Sequence, residues 1–254
     1  MATPRTPPPS QPTGLSALRA ATHVKHVLVV VPAHNEADTI ADCLMSIDRA
    51  AVQVDPVGVR VVVVADACTD ATIDVVRSLR PRACALEVRV VAMRRVGAVR
   101  AAGFAGAPTS SRQWFATTDA DSVVPPSWLA DQLLSAETHD LFVGTVAVED
   151  WSHRPAGLHR AFAERYQPGP SHRHVHATNL GVRGSVYRRV GGFLDVAAHE
   201  DVALVAAGQA AGVAVDWSAA APVVTSARRS ERTPTGFSAY LTRLEARLGS
   251  PRPA

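Results

Sequence analysis

Cysteine is scarce in this 254-residue chain: Cys43, Cys68 and Cys84 are all it has. The number is odd and no CxxC pair occurs, which argues against a disulfide framework and against a cysteine-built structural zinc site. A reducing, cytoplasmic setting is the expectation. Aromatic residues make up only 5% of the chain, so its core must be built largely from small side chains, Ala and Val foremost. No apolar run reaches the roughly 18 residues that a spanning helix requires. The N-terminus lacks the charged-then-apolar order of a secretion signal. A dominant charge is missing as well. Lys and Arg total 26 against 23 Asp and Glu, a formal net charge of +3. No block of consecutive positive residues marks a nucleic-acid tail, so no nucleic-acid partner is expected. The phosphate-binding signatures GxGxxG and GxxxxGK[ST] are absent from the first strand–helix turn, which disfavours a dinucleotide-binding dehydrogenase and a P-loop nucleotidase.

What the chain does have is an apolar share of 47%, enough for a sizeable core. Residues 1–14 are Pro-rich and offer little to bury, so residues 1–25 read as a disordered tail and 26–250 as one domain. Val27-Leu28-Val29-Val30-Val31 shows no polar alternation, as expected of a strand buried on both faces of a parallel sheet. Asn35 and Asp38 precede Ile40, Leu44 and Ile47, a capped helix start. The pattern recurs with strands near residues 59–64, 86–92 and 114–118. Helices follow at Ile73, Val76 and Leu79 (capped by Asp70 and ended by Pro81), over 96–107, and after Pro125-Pro126-Ser127. Such alternation implies βαβ units, a mainly parallel central sheet flanked by helices, and ligands at the carboxyl ends of the strands. Later elements are a strand over 141–148, a loop with one helix over 151–176, a helix over 200–211, a strand at 223–225 and an amphipathic helix from residue 235.

Three turns carry polar groups at strand ends: Val31-Pro32-Ala33-His34-Asn35-Glu36, Val64-Ala65-Asp66-Ala67-Cys68-Thr69-Asp70 and Thr118-Asp119-Ala120-Asp121. In extended chain, residues i and i+2 project to one side, so Asp119 and Asp121 converge. Two such carboxylates repel unless a proton or cation sits between them, and Mg²⁺ or Mn²⁺ suits their oxygen donors. Spacing alone equally allows two carboxylates that cap the turn before the next helix.

The order of these turns resembles the family-2 glycosyltransferases of the GT-A fold. Thr178-Asn179-Leu180-Gly181-Val182-Arg183, running on to Val190-Gly191-Gly192-Phe193, is similar to that family's acceptor-side segment. His199-Glu200-Asp201 is similar to its acidic pair at a helix start. The resemblance runs from about residue 27 to 211. It implies an α/β GT-A domain that moves a sugar from a nucleoside-diphosphate sugar to a hydroxyl acceptor with inversion. It also implies roles. Pro32, Ala33, Asn35 and Glu36 would line the nucleotide pocket and Asp66 would read the base. Asp119 would face the ribose or the metal, and Asp121 would hold the metal against the diphosphate. Asn179 and Glu200 would contribute to the substrate side, Arg100 would approach phosphate, and Asp201 would be the catalytic base.

Some features depart from that pattern or stay open. Relatives that carry a histidine after the acidic helix have no match here, because His199 is the last histidine. Arg228, Arg229 and Arg232 follow instead, and could clamp a diphosphate bidentately or form a solvated loop. His172, His174 and His176 would point one way if extended and could hold a transition metal, or could line an acceptor loop. His34 reads as a polar pocket residue and Cys68 as a small one. The C-terminal helix, with Arg243 and Arg247 beside an apolar stripe, could contact the inner face of a membrane or cover the core. A sugar-nucleotide-binding protein without transfer activity is the alternative function. A nucleotidyltransferase is disfavoured by the first turn, which lacks glycine and a basic residue.

Overall fold

The computed structural model describes residues 22–169, 172–229 and 236–248. The Pro-rich residues 1–14 and Arg232 therefore lie outside the described residues. Packed structure begins just ahead of His26, since Val24 is wholly buried and Lys25 N–H donates to the Arg112 carbonyl at 2.9 Å.

Four parallel strands form one half of the sheet: β1 (His26–Ala33), β2 (Gly58–Asp66), β3 (Cys84–Val91) and β4 (Gln113–Thr117). They are joined by α1 (Ile40–Val52), α2 (Thr72–Ser78) and α3 (Val96–Phe104). The other half comprises β5 (Ser122–Val123), β6 (Leu141–Ala147), β7 (Leu180–Arg183) and β8 (Val215–Thr225). The full order is β3-β2-β1-β4-β7-β6-β8-β5, with β7 and β5 antiparallel to their neighbours. Helices α4 (Trp128–Ser135), α5 (Leu158–Arg165), α6 (Gly184–Arg189), α7 (Glu200–Ala210) and α8 (Phe237–Leu248) complete the described chain.

The uninterrupted apolar run of β1 divides its side chains between two cores. Val27, Val29 and Val31 pack with α1 and α4 through Ile40, Leu44, Ile47, Trp128 and Leu133. Leu28 and Val30 pack with α3 and α7 through Val99, Phe104, Leu204 and Val205. A Cβ on Gly103 would lie 2.4 Å from a Val30 methyl, so α3 reaches the sheet only because that position is glycine. A third, smaller core joins α5 to α8, with Leu158, Phe162, Tyr166, Leu241 and Leu244 buried in it. The stripe of the C-terminal helix is thus committed to packing. Among the described residues no helix is long and apolar enough to cross a membrane.

Because β1, β2 and β4 are parallel, their carboxyl ends lie on one side of the sheet. The chain doubles back there, with β2 and β3 to one side of β1 and β4 to the other, a topological switch point. Four non-glycine residues of the described chain have positive φ: Asn35 (55°), Ala67 (49°), Arg94 (56°) and His199 (62°). Three lie in the turns that leave β1, β2 and β3, and the fourth immediately precedes Glu200 and Asp201. Backbone held in this sparsely populated region commonly marks a functional rim.

Candidate active site

The first two turns are laced together by side chains. Asn35 Oδ1 accepts the N–H groups of Thr69 (2.8 Å) and Asp70 (3.3 Å), while its amide donates to Thr69 Oγ1 (3.2 Å). The Glu36 N–H donates to Thr72 Oγ1 at 2.7 Å, and Asp70 accepts from the Ala37 N–H at 3.1 Å. His34 bonds the Asp66 carbonyl at 2.6 Å. The Asp66 carboxylate accepts the N–H groups of Met93 (2.7 Å) and Arg94 (2.9 Å), which brings the turn after β3 against that after β2. Pro32 and Ala33 close β1 opposite Val64 and Ala65, and the Cys68 thiol donates to the Ala33 carbonyl at 3.4 Å.

The turn after β4 meets α3 and α7 at a carboxylate-rich centre. Arg100, almost wholly buried, donates to Thr117 Oγ1 (3.2 Å), Glu200 (2.5 Å) and Asp119 (2.5 Å). The second oxygen of Asp119 accepts from the Thr178 hydroxyl. Arg228 reaches back from the end of β8, pairing with Glu36 and, at 3.1 Å, with Asp121. Burial, then the neighbouring Asp119, pushes the Asp121 carboxyl up to about 6, with Arg228 opposing and Glu36 adding to the rise. Burial likewise raises Glu200, with Arg100 pulling the other way. Negative charge is therefore incompletely compensated beside Asp121, and its oxygens are donors of the kind a hard divalent cation takes. Asp119 offers two oxygens of the same kind, each already accepting one hydrogen bond, from Arg100 and from Thr178. Among the described residues, no group of three or more His, Cys, Asp or Glu is placed to hold a metal.

Asp201 opens α7, where the helix N-terminus favours a carboxylate. One of its oxygens accepts the Ala177 N–H (3.0 Å) and the other that of Val202 (2.8 Å). Ala177 and Thr178 are consecutive, so one short segment touches both Asp201 and Asp119. Upstream of it the three imidazoles stack. The His172 and His174 centroids are 6.0 Å apart at 12°, and those of His174 and His176 are 6.3 Å apart at 18°. Burial holds His176 down at about 4, against the pull of Asp201.

A family model, glycosyl transferase family 2, matches residues 28–191, well over half of the chain. The chain belongs to glycosyl transferase family 2. No curated protein matches this family-2 chain. Among solved structures it is similar to TarS of S. aureus in complex with UDP-GlcNAc, at 18% identity and a TM-score of 0.60, covering 87% of this chain and 65% of that one. It is also similar to the mannosyltransferase PcManGT of Pyrobaculum calidifontis in complex with GDP-Man and Mn²⁺, at 21% identity and a TM-score of 0.58, covering 84% and 59%. The family-2 chain spans less than two thirds of the length of those structures. At such identities the likeness is one of fold, an α/β domain with a mixed, mostly parallel sheet of the GT-A type.

Several residues expected at the family-2 site have other duties. Asn179 is wholly buried: it accepts from the Trp128 indole (2.8 Å) and donates to the carbonyls of Thr145 (2.9 Å) and Ala221 (2.8 Å). It locks the core and does not line the substrate side. Arg100 braces Asp119 and Glu200 and is too buried to be an exposed phosphate clamp. Arg229 turns away to Glu245 at 2.7 Å. Asn35 ties two turns together and does not cap α1, whose first turn has no side-chain cap. The histidine triplet is stacked, and its reading as a transition-metal site finds no placed ligand group among the described residues. Sequence reasoning missed Thr178 and Arg154. The buried Arg154 guanidinium donates to the carbonyls of Ala227 (2.7 Å) and Arg228 (3.3 Å) and to Thr242 Oγ1 (3.0 Å). It fastens α8 to the segment that carries Arg228. A lone arginine in a polar loop shows no periodicity, so nothing in the sequence marked it.

Proposed function

We propose that this chain transfers a sugar from a nucleoside-diphosphate sugar to a hydroxyl group of an acceptor, with inversion at the anomeric carbon. The observation that supports this best is the approach of two carboxylates of different character to one short segment. Thr178 holds Asp119 beside Asp121, and Ala177 holds Asp201. Pro32, Ala33, Asn35, Glu36 and Asp66 would frame the nucleotide side, and Arg228, paired with Glu36 and Asp121, would face the diphosphate. Asp119 and Asp121 would hold Mg²⁺ or Mn²⁺, which supplies positive charge for the leaving diphosphate when bound. PcManGT, which shares the fold, was solved in complex with GDP-Man and Mn²⁺.

In the reaction the acceptor oxygen forms a bond to the sugar C1 as the bond from C1 to the diphosphate oxygen breaks. Asp201 takes the acceptor's hydroxyl proton, and the nucleoside diphosphate leaves with the bonding pair. A positioned base of this kind is worth about 10²–10⁴-fold in rate. The three cysteines are free, in keeping with a cytoplasmic location. The test is release of nucleoside diphosphate from UDP-, GDP- and dTDP-sugars in Mn²⁺, with acceptor present. Asp201→Asn should cut transfer by about 10²–10⁴-fold while donor affinity holds. Full turnover by Asp201→Asn would sink the assignment of the base, and tight donor binding without any transfer would make the chain a binding protein.

A further inference from the structure

The histidine segment is not accounted for by donor binding. It runs outward from the reaction centre: Thr178 and Ala177 hold the two carboxylates, and His176, His174 and His172 follow at alternate positions. Their rings form a ladder with aromatic rails. Tyr166 stacks on His174 (4.2 Å, 27°), Trp217 stands edge-on to His172 (5.6 Å, 85°) and Phe237 edge-on to His176 (5.9 Å, 89°). In a chain with only 5% aromatic residues, this concentration beside Asp201 is conspicuous.

Among the described residues, two ring nitrogens on the ladder are buried with no hydrogen-bond partner, Nδ1 of His172 and Nε2 of His176. His172 itself is only 5% exposed, and its other nitrogen bonds the Ser218 carbonyl at 3.2 Å. Buried polar atoms left unpaired are rare and call for a partner. His174, His176, Trp217 and Phe237 are each half-buried, so an edge of the ladder reaches the surface.

We propose that this ladder is the acceptor subsite, and that the acceptor it takes is a neutral saccharide. The proposal rests on the transferase reading above and deepens it. Flat rings suit the C–H face of a pyranose, and the unpaired nitrogens suit its hydroxyls. Binding sites of this sort combine an aromatic lining with a few placed polar groups. The imidazoles offer an anionic acceptor little charge, since burial lowers the affinity of His174 and His176 for protons. The guanidinium of Arg173 keeps its charge but is held on the His172 carbonyl (2.9 Å) and over Trp217 (5.0 Å). A hydroxyl of a sugar seated on His176 would lie next to Asp201, the group proposed to take its proton.

Binding is read directly by saturation-transfer NMR on the full chain, using methyl β-D-glucopyranoside and methyl α-D-mannopyranoside without donor. Turnover is then read as nucleoside-diphosphate release with Mn²⁺, comparing these glycosides with sn-glycerol 3-phosphate. The expected result is an NMR signal from at least one glycoside and at least tenfold stimulation of release by it. His174→Ala should raise the acceptor KM tenfold or more while leaving the donor Kd within twofold. His174→Phe, which keeps a ring on Tyr166, should stay within threefold of the wild-type KM and covers the case in which the alanine variant does not fold. Two results would overturn the ladder: no glycoside signal with glycerol 3-phosphate alone stimulating release, or His174→Ala shifting donor Kd with acceptor KM unmoved. A chain that binds glycosides but no nucleotide sugar would refute the transferase reading and leave the ladder standing.

Discussion

Replacing Asp121 with Asn should stabilise the metal-free protein at neutral pH. The folded state pushes this carboxyl from its ordinary 3.8 to about 6, chiefly through burial and then Asp119. The folded chain therefore holds the proton more tightly than the unfolded chain does. The stability that the bound proton confers is complete below about pH 4 and is lost as pH rises through about 6. Above that pH the ionised carboxylate costs roughly 3 kcal/mol. Asparagine has the same shape and no charge, so it escapes the cost. The 3.1 Å contact to Arg228, which opposes the rise, is already inside that figure. The net gain is about 3 kcal/mol at pH 7.5, a rise in Tm of roughly 6–12 °C for a chain of this size, shrinking towards zero near pH 4. Urea or thermal unfolding in EDTA, followed by circular dichroism at both pH values, measures it. Mn²⁺ should raise the Tm of the wild type at pH 7.5 and leave Asp121→Asn unmoved. A variant less stable than the wild type in EDTA at pH 7.5, or one with an identical pH profile, would refute the reasoning. Such a gain would be the usual exchange of stability for a charged functional group.

Arg100→Met should be among the most damaging single changes. It leaves Glu200 and Asp119 without their shared cation and should cost about 3–5 kcal/mol, read as a fall in the urea midpoint or a loss of soluble protein. Gly144→Ala should cost about 3 kcal/mol, because its Cβ would stand 2.2 Å from the Asn179 amide nitrogen. Fluorescence of Trp128, whose indole donates to Asn179, should shift as that bond is strained, and an unchanged spectrum with unchanged stability would refute the packing account.

In the parallel half, β1, β2 and β4 were legible because they are buried on both faces, whereas β3 is a half-buried edge strand. Residues 27–31 read as a continuous apolar run and 59–64 as one broken only by Arg60, and the observed β1 and β2 contain them. The other half was legible only in part: the strand expected over 141–148 is β6, but β5 and β7 were not marked. β7 has four residues, one a glycine, too few to show a period. The first half of β8 is only partly buried and mixes Asp216, Trp217 and Ser218, so only its buried end at 223–225 was visible. At the site, residue type was legible and partnership was not. Asp119, Asp121 and Asp201 were singled out by spacing and family resemblance, while the contacts that bring Asp119 and Asp201 to adjacent residues 178 and 177 were not visible. Asn179 looked equally functional, and only its three buried bonds show it to be a core residue. The same limit applied to Arg100, since an arginine on an Ala/Gly helix does not announce two carboxylates brought from residues 119 and 200.

Residues 177–179 have a consequence for how specificity can vary. Ala177 grips the proposed base, Thr178 the donor-side carboxylate, and Asn179 the core. Consecutive Cα atoms are 3.8 Å apart by covalent geometry. The spacing between the two chemical partners is thus set by the peptide backbone itself, on a footing fixed one residue later. Side chains at 172–176 hang from the same segment but have no part in that spacing. The substrate-facing half can be rewritten while the reaction geometry stays constant, like a tool whose jaws are exchanged on an unaltered hinge.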